Sequence, residues 1–262
     1  MKTRTIKRAL TIVCSLATGL PSVLWGYESV GQLSCLIEPS ARIRVSSQSP
    51  GIVQSVNKER GDSVQKGELL LALENSLEAA QLKAAKIRKG YSSRQQERND
   101  EIYEKGFLSE ARRDEIETEK ALGDVAVEEA SARLNRKTVY SPINGVVVSR
   151  MVSIGEFVEN DALLELAALH PLYAEVLIQA DKYQQVRKGM SVQVAVDGTE
   201  QVHSGKVVIV DRVIDPSSAT FGIRVSLDNQ DLSIPAGVNC QVSFNSDEPV
   251  NGKAGEELSS NY

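Results

Sequence analysis

GIVQSVNKERGDSVQKGELLL, residues 51–71, falls without a gap on GVVVSRMVSIGEFVENDALLE, residues 145–165. Gly51, Val53, Ser55, Gly61, Val64, Leu69 and Leu70 meet Gly145, Val147, Ser149, Gly155, Val158, Leu163 and Leu164, and Asp62 meets Glu156. Each copy has a β-branched run after a glycine, then a Gly-acid turn, a lone Val and a short aliphatic strand. That is the punctuation of small strands joined by tight turns. Gly51, Gly61, Gly145 and Gly155 are therefore expected at structural turns, Gly61 and Gly155 with backbone angles closed to other residues. One unit of this kind has too little apolar surface to close a core, so two copies are expected to face each other.

Between the copies lie about 63 residues, Asn75 to Lys137, rich in Ala, Glu, Lys, Arg and Gln and free of proline. That composition predicts helix. Leu77, Ala80, Ala84, Ile87 and Tyr91 recur at spacings of three and four and predict a coiled-coil seam in the first arm. In the second arm a weaker stripe runs through Ile116, Lys120, Gly123, Val127, Ala130 and Leu134. The midpoint falls at Gly106-Phe107, with Gly90 and Gly123 symmetric about it. Those two glycines either face each other and let the arms approach closely, or each merely weakens its helix. An arm of about 30 residues spans on the order of 45 Å at the helical rise. So thin a hairpin buries little and reads as a device for reaching a partner. Ser109 is placed to cap the second helix, although Arg112 stands where an acid would complete the capping box.

After His170-Pro171 the pattern changes to alternation, with short strands expected at Ala174 to Ile178, Val192 to Val196, Val207 to Val213, Phe221 to Leu227 and Val238 to Phe244. Glycines and Asp215-Pro216 punctuate them, which suggests a small β-barrel or sandwich. The sequence thus divides into 1–26, a domain split between 27–74 and 138–169, a helical hairpin at 75–137, a β-barrel at 170–244 and a polar tail at 245–262 expected to be disordered.

The first 26 residues carry Lys2, Arg4, Lys7 and Arg8 and no acid, followed by an apolar run from Ala9 to Trp25. They read as an export signal peptide, the alternative being a retained membrane anchor. Removing those four basic residues moves the formal charge from -5 to -9, which argues against nucleic acid as a partner. It also leaves two of the three cysteines, Cys35 and Cys240, which in an oxidising compartment either pair or stay as buried thiols. Two histidines and no Cys-x-x-Cys offer no credible metal site. No phosphate loop or split carboxylate pair is recognisable, so neither catalytic residues nor a cofactor is expected.

Ser49-Pro50-Gly51-Ile52-Val53 through Leu69-Leu70 resembles the first half of the split biotinyl/lipoyl-like domain of the periplasmic adaptor, or membrane fusion protein, family of HlyD type. Thr138-Val139-Tyr140-Ser141-Pro142 through Phe157-Val158 resembles the second half. Lys188-Gly189-Met190, Gly205-Lys206-Val207 and Ile234-Pro235-Ala236-Gly237-Val238 stand where the family has the glycine turns of its β-barrel. A true biotinyl or lipoyl carrier would join its halves by a tight turn displaying a Lys, which the long insertion here replaces. The resemblance implies a mainly β chain, a barrel-sandwich hybrid with a coiled-coil hairpin inserted and a C-terminal β-barrel. It implies a periplasmic, inner-membrane-associated subunit that links an inner-membrane transporter to an outer-membrane channel, assembled as a homo-oligomer. The transporter is expected to be of resistance-nodulation-division (RND) type, with an ABC-type exporter as the alternative and a carrier domain as a more remote one.

Family hairpins often carry an Arg, an aliphatic residue four further on and a Ser seven beyond that. Here these are Arg98, Ile102 and Ser109, with Ile in place of the usual Leu. The resemblance implies that Arg98, Ile102, Gly106, Leu108 and Ser109 form a channel-binding tip. It also implies that Cys35, just before the first half, lies beside Cys240 on the last barrel strand.

Overall fold

The computed structural model describes residues 32–106, 109–199 and 201–244. The expected signal peptide at 1–26, the tail at 245–262, and Phe107 and Leu108 lie outside the described residues.

In chain order the elements are strands β1 (Leu33–Ser46), β2 (Gly51–Val56), β3 (Ser63–Val64) and β4 (Leu69–Leu73), then helices α1 (Ser76–Glu104) and α2 (Glu110–Asn135). Strands β5 (Thr138–Tyr140), β6 (Gly145–Arg150), β7 (Phe157–Val158) and β8 (Ala162–Gln179) follow, with a 3-10 turn at Ala180–Gln185. Strands β9 (Ser191–Val196), β10 (Val202–Val210), β11 (Thr220–Leu227) and β12 (Asn239–Phe244) complete the chain.

The repeat folds with an internal two-fold relation. Gly51 and Ile52 of β2 pair with Val158 and Phe157 of β7, while the equivalent Gly145 and Val146 of β6 pair with Val64 and Ser63 of β3. Gly61 N–H donates to the Val147 carbonyl at 2.9 Å, and Gly155 N–H donates to the Val53 carbonyl at 2.8 Å. Each turn is braced by its acid: Asp62 accepts from Glu59 N–H and Glu156 accepts from Ser153 N–H, both at 2.8 Å. Gly61 and Gly155 stand at φ +93° and +86°, left-handed angles that a Cβ disfavours. Inside, Val53 and Val147, Val64 and Val158, and Leu70 and Leu164 are buried as equivalent pairs in one apolar cluster. Neither copy closes this core alone, because each lends its strand to the other's sheet.

β1 and β8 run through both domains. Their outer halves, through Ala41–Val45 and Leu164–Ala168, belong to the lipoyl-like domain, and their other halves enter the barrel. The barrel sheet runs β1-β12-β9-β10-β11-β8 and closes through the β1–β8 pairing. Residues 33–39, which the sequence reading assigns to the first lipoyl-like half, therefore furnish the sixth strand of the barrel. Alternation in a strand carries no information about its partner, so this membership shows only in the pairing. The barrel core gathers Ile37, Leu172, Ile178, Phe221, Ile223 and Val242. The third expected barrel strand is shifted: β10 spans Val202–Val210, and residues 211–213 begin a loop. There Asp215 accepts hydrogen bonds from Ser217 N–H and Oγ, which sets a turn before Thr220.

The helical insertion forms an antiparallel pair. Its second-arm stripe is on the seam: Ile116, Gly123 and Ala130 are buried, and Val127 and Leu134 half-buried. The first arm differs from expectation, because Leu77, Ile87 and Tyr91 are exposed and the seam instead takes Leu82, Ala85, Ser92, Asn99 and Tyr103. On that side α1 meets α2 through polar groups and a close approach at Gly123. Lys89 Nζ sits 2.8 Å from Asp124 across the arms, and at the root Glu78 pairs with Lys137 at 3.2 Å. Gly123 lies against Ser92 and Lys89, and Gly90 meets only Arg94 of its own helix. The two glycines do not face each other.

Candidate functional site

The free end of the hairpin is built from the last two turns of α1 and the first of α2. Arg98 and Ile102, four residues apart, share one side of α1. Arg98 is exposed and Ile102 is 42% exposed, a large aliphatic side chain presented to solvent. Gly106 makes the reversal at φ +76°, its N–H donating to the Tyr103 carbonyl at 2.8 Å. Ser109 occupies the N-cap of α2 in an extended conformation, but its hydroxyl makes no capping bond. Its carbonyl instead accepts the N–H groups of Arg112 and Arg113, both at 3.1 Å. Leu108 lies outside the described residues. The fold thus carries Arg98, Ile102, Gly106 and Ser109 at one end of the hairpin.

Two features of this arrangement are not in the sequence reading. Near the tip the Arg113 guanidinium of α2 lies 4.4 Å over the ring of Tyr103 of α1 and pairs with Glu117 at 2.9 Å. This cation–π contact ties the arms together one turn below the reversal. Folding the arms about their midpoint sets Tyr103 opposite Glu110, so this pairing does not follow from the symmetry. At the root, Lys137 donates to the Pro50 carbonyl at 2.8 Å while pairing with Glu78, and both side chains are largely covered. The Leu73 N–H donates to the Lys137 carbonyl at 2.7 Å. The hairpin is thereby anchored to the first lipoyl-like half, and no spacing rule marks a lysine for that role.

Cys35 and Cys240 are cross-strand partners in the β1–β12 ladder, with Cα atoms 4.8 Å apart and sulfurs 2.06 Å apart. Among the described residues no group of three or more His, Cys, Asp or Glu side chains is arranged to hold a metal ion. No described helix is long and apolar enough to cross a membrane. The geometry offers surfaces at the two ends of the chain's architecture, the hairpin tip and the barrel.

Comparison with known proteins agrees with this architecture. Residues 41–167 match the family model of the CzcB-like barrel-sandwich hybrid domain, and residues 172–248 match that of the CusB-like β-barrel domain. The cobalt-zinc-cadmium resistance protein CzcB of Cupriavidus metallidurans is 24% identical over 204 residues, 72% of this chain and 39% of its own length. The nickel and cobalt resistance protein CnrB of the same organism is 30% identical over 172 residues, 59% of this chain and 42% of its own. The chain therefore spans about two fifths of the length of these curated relatives. Among solved structures, a MacA-MexA chimera carrying the Pseudomonas aeruginosa MexA α-hairpin domain matches with a TM-score of 0.71 at 20% identity, over 82% of this chain and 80% of that one. A putative efflux transporter from Bacteroides eggerthii matches with a TM-score of 0.70 at 17% identity, over 87% of this chain and 72% of that one. These likenesses show the fold. The two family models follow one another along more than three quarters of the chain, and the chain belongs to the periplasmic adaptor, or membrane fusion protein, family.

Proposed function

We propose that this chain is the periplasmic adaptor of a tripartite export system, joining an inner-membrane transporter to an outer-membrane channel as one of several copies arranged around the conduit. The observation that carries the reading is the two-ended architecture. A helical hairpin replaces the carrier turn of the lipoyl-like domain and ends in Arg98, exposed Ile102, Gly106 and Ser109. A closed barrel stands on the other side of that domain. The halves of the lipoyl-like domain are joined by two long helices and not by a tight turn, which supports a joint between the two ends over a cofactor carrier. The transporter is of RND type, and its cargo is a divalent transition-metal ion. Relatives named for resistance to cobalt, zinc, cadmium and nickel support this cargo. The N-terminal segment directs the chain to the periplasm.

A photoreactive residue at Ile102, activated in cells, tests the reading. Capture of an outer-membrane channel protein is the expected result. Absence of capture at Ile102 and at a second position beside Ser109, with the protein expressed and exported, would remove the conduit role as placed here.

A further inference from the structure

The barrel end remote from the lipoyl-like domain collects several segments. β8 enters the barrel beside the joint and leaves it at Gln179, so the alternating strands bring to the same pole the starts of β1, β9 and β11 and the ends of β10 and β12. The 3-10 turn at Ala180–Gln185, residues 186–190 and the loop 211–219 all lie there. So does Leu33, where the chain that carries the apolar run Ala9–Trp25 enters the fold.

At this pole Arg187, Lys188 and Arg212 line an open cleft of about 500 Å³ together with Tyr183, Val186 and residues 208–210 of β10, and no carboxylate lines it. None of the three cations has an ion-pair partner among the described residues. Of the acids at the pole, Asp211 lies beside Gly222 and Asp215 is tied to Ser217, while Asp181, in the 3-10 turn, pairs with none of the three cations among the described residues. Directly after Arg212, at the head of the loop, Val213 is 81% exposed and Ile214 40% exposed. A chain of formal charge -5 has thus gathered cations that are unpaired among the described residues around two protruding aliphatic side chains.

We infer that this pole docks on the anionic surface of a phospholipid bilayer, with Arg187, Lys188 and Arg212 on headgroup phosphates and Val213 and Ile214 in the interfacial layer. Cations beside an anionic leaflet and aliphatic side chains entering the headgroup boundary act together in interfacial binding. Neither contribution is large alone. The N-terminal segment that takes the chain to the inner membrane for export joins the fold at the same pole, so this is the pole delivered to the bilayer. An acidic protein face would meet the cations but leaves that coincidence unexplained. The inference rests on the proposed function only for its setting between two membranes.

Two measurements test it. With a photoreactive residue at Val213 in cells, the expected product is an adduct one phospholipid heavier, reduced in the Arg187→Ala/Lys188→Ala/Arg212→Ala variant. Capture of a protein alone would overturn the inference in favour of a protein face, and absence of any adduct would overturn it outright. Second, the exported protein, as cells process it, is sedimented with vesicles containing phosphatidylglycerol or only phosphatidylcholine. Roughly tenfold tighter binding to the anionic vesicles is expected at low salt, falling to the neutral-vesicle level in the triple variant. Equal binding by the variant would overturn it. Channel capture at Ile102 with no lipid adduct at Val213 would leave the adaptor reading standing and remove this one.

Discussion

Gly51 and Gly145 are equivalent in the repeat, yet the fold asks different things of them. A Cβ at Gly145 would stand 2.1 Å from the Ala167 carbonyl oxygen, on a β8 backbone held by β1 and β6, whereas at Gly51 the nearest atoms are side-chain atoms of Leu73 and Lys137 at 3.4 Å. Gly145→Ala is expected to destabilise the lipoyl-like domain by about 2–4 kcal/mol, because two strands must separate to admit the methyl group. Gly51→Ala is expected to cost under about 1 kcal/mol, since the neighbouring side chains can move. Urea unfolding followed by far-UV circular dichroism separates the two; equal costs would mean that the β6–β8 approach is not as close as described. At this scale the sequence announces which positions matter, because the repeat marks them twice. It does not announce why, because the atom that excludes a side chain from Gly145 belongs to Ala167, two residues beyond the aligned stretch, and meets it only through strand pairing.

The hairpin shows what periodicity can and cannot decide. Its existence and its reversal at Gly106 were legible from composition and symmetry, and the α2 stripe through Ile116, Gly123 and Ala130 lies on the seam. The α1 stripe through Leu77, Ile87 and Tyr91 faces solvent. A spacing of three and four identifies an apolar side but not what lies opposite it, and the ion pairs of α1, Lys89 with Asp124 and Glu78 with Lys137, are contacts that spacing does not reveal. One of these pairs gives a pH test. Lys89, with Lys120 nearby, holds the Asp124 carboxyl below its usual range. A depressed folded-state pKa contributes stability that is complete above the unfolded carboxylate pKa of about 4 and is lost as the pH falls through the folded value. The thermal midpoint of the helical signal is therefore expected to fall on acidification below about pH 4, with a shallower dependence in Asp124→Asn. An unchanged pH profile in that variant would show that the pair does not hold the arms together.

For the whole molecule, the barrel is closed by a strand from one end of the chain and sealed by a cysteine pair with a sequence separation of 205 residues. Removing so long a cross-link frees the unfolded chain, and reduction is expected to cost about 2–4 kcal/mol. Urea unfolding with and without reductant measures this, and two free thiols titrated in unreduced, denatured, exported protein would show the bond to be absent. The outward stripe of α1 belongs to the same scale, because a monomer leaves it uncovered. Leu77, Ile87 and Tyr91 are each more than half exposed on α1, as are Leu122 and Val125 on α2, and a two-helix hairpin has no other layer to cover them. A side-by-side arrangement of copies, the α1 stripe of one against α2 of the next, would bury both sets and turn isolated hairpins into a wall. Ile87→Ser combined with Tyr91→Ser is expected to leave the monomer's helical content unchanged, since neither side chain is on the internal seam. It is expected to weaken self-association at least tenfold, about 1.4 kcal/mol, in sedimentation velocity over a concentration series. Unaltered association would move the contact between copies off the hairpin and onto the lipoyl-like domain, where Ile52 and Phe157 form the next exposed apolar pair.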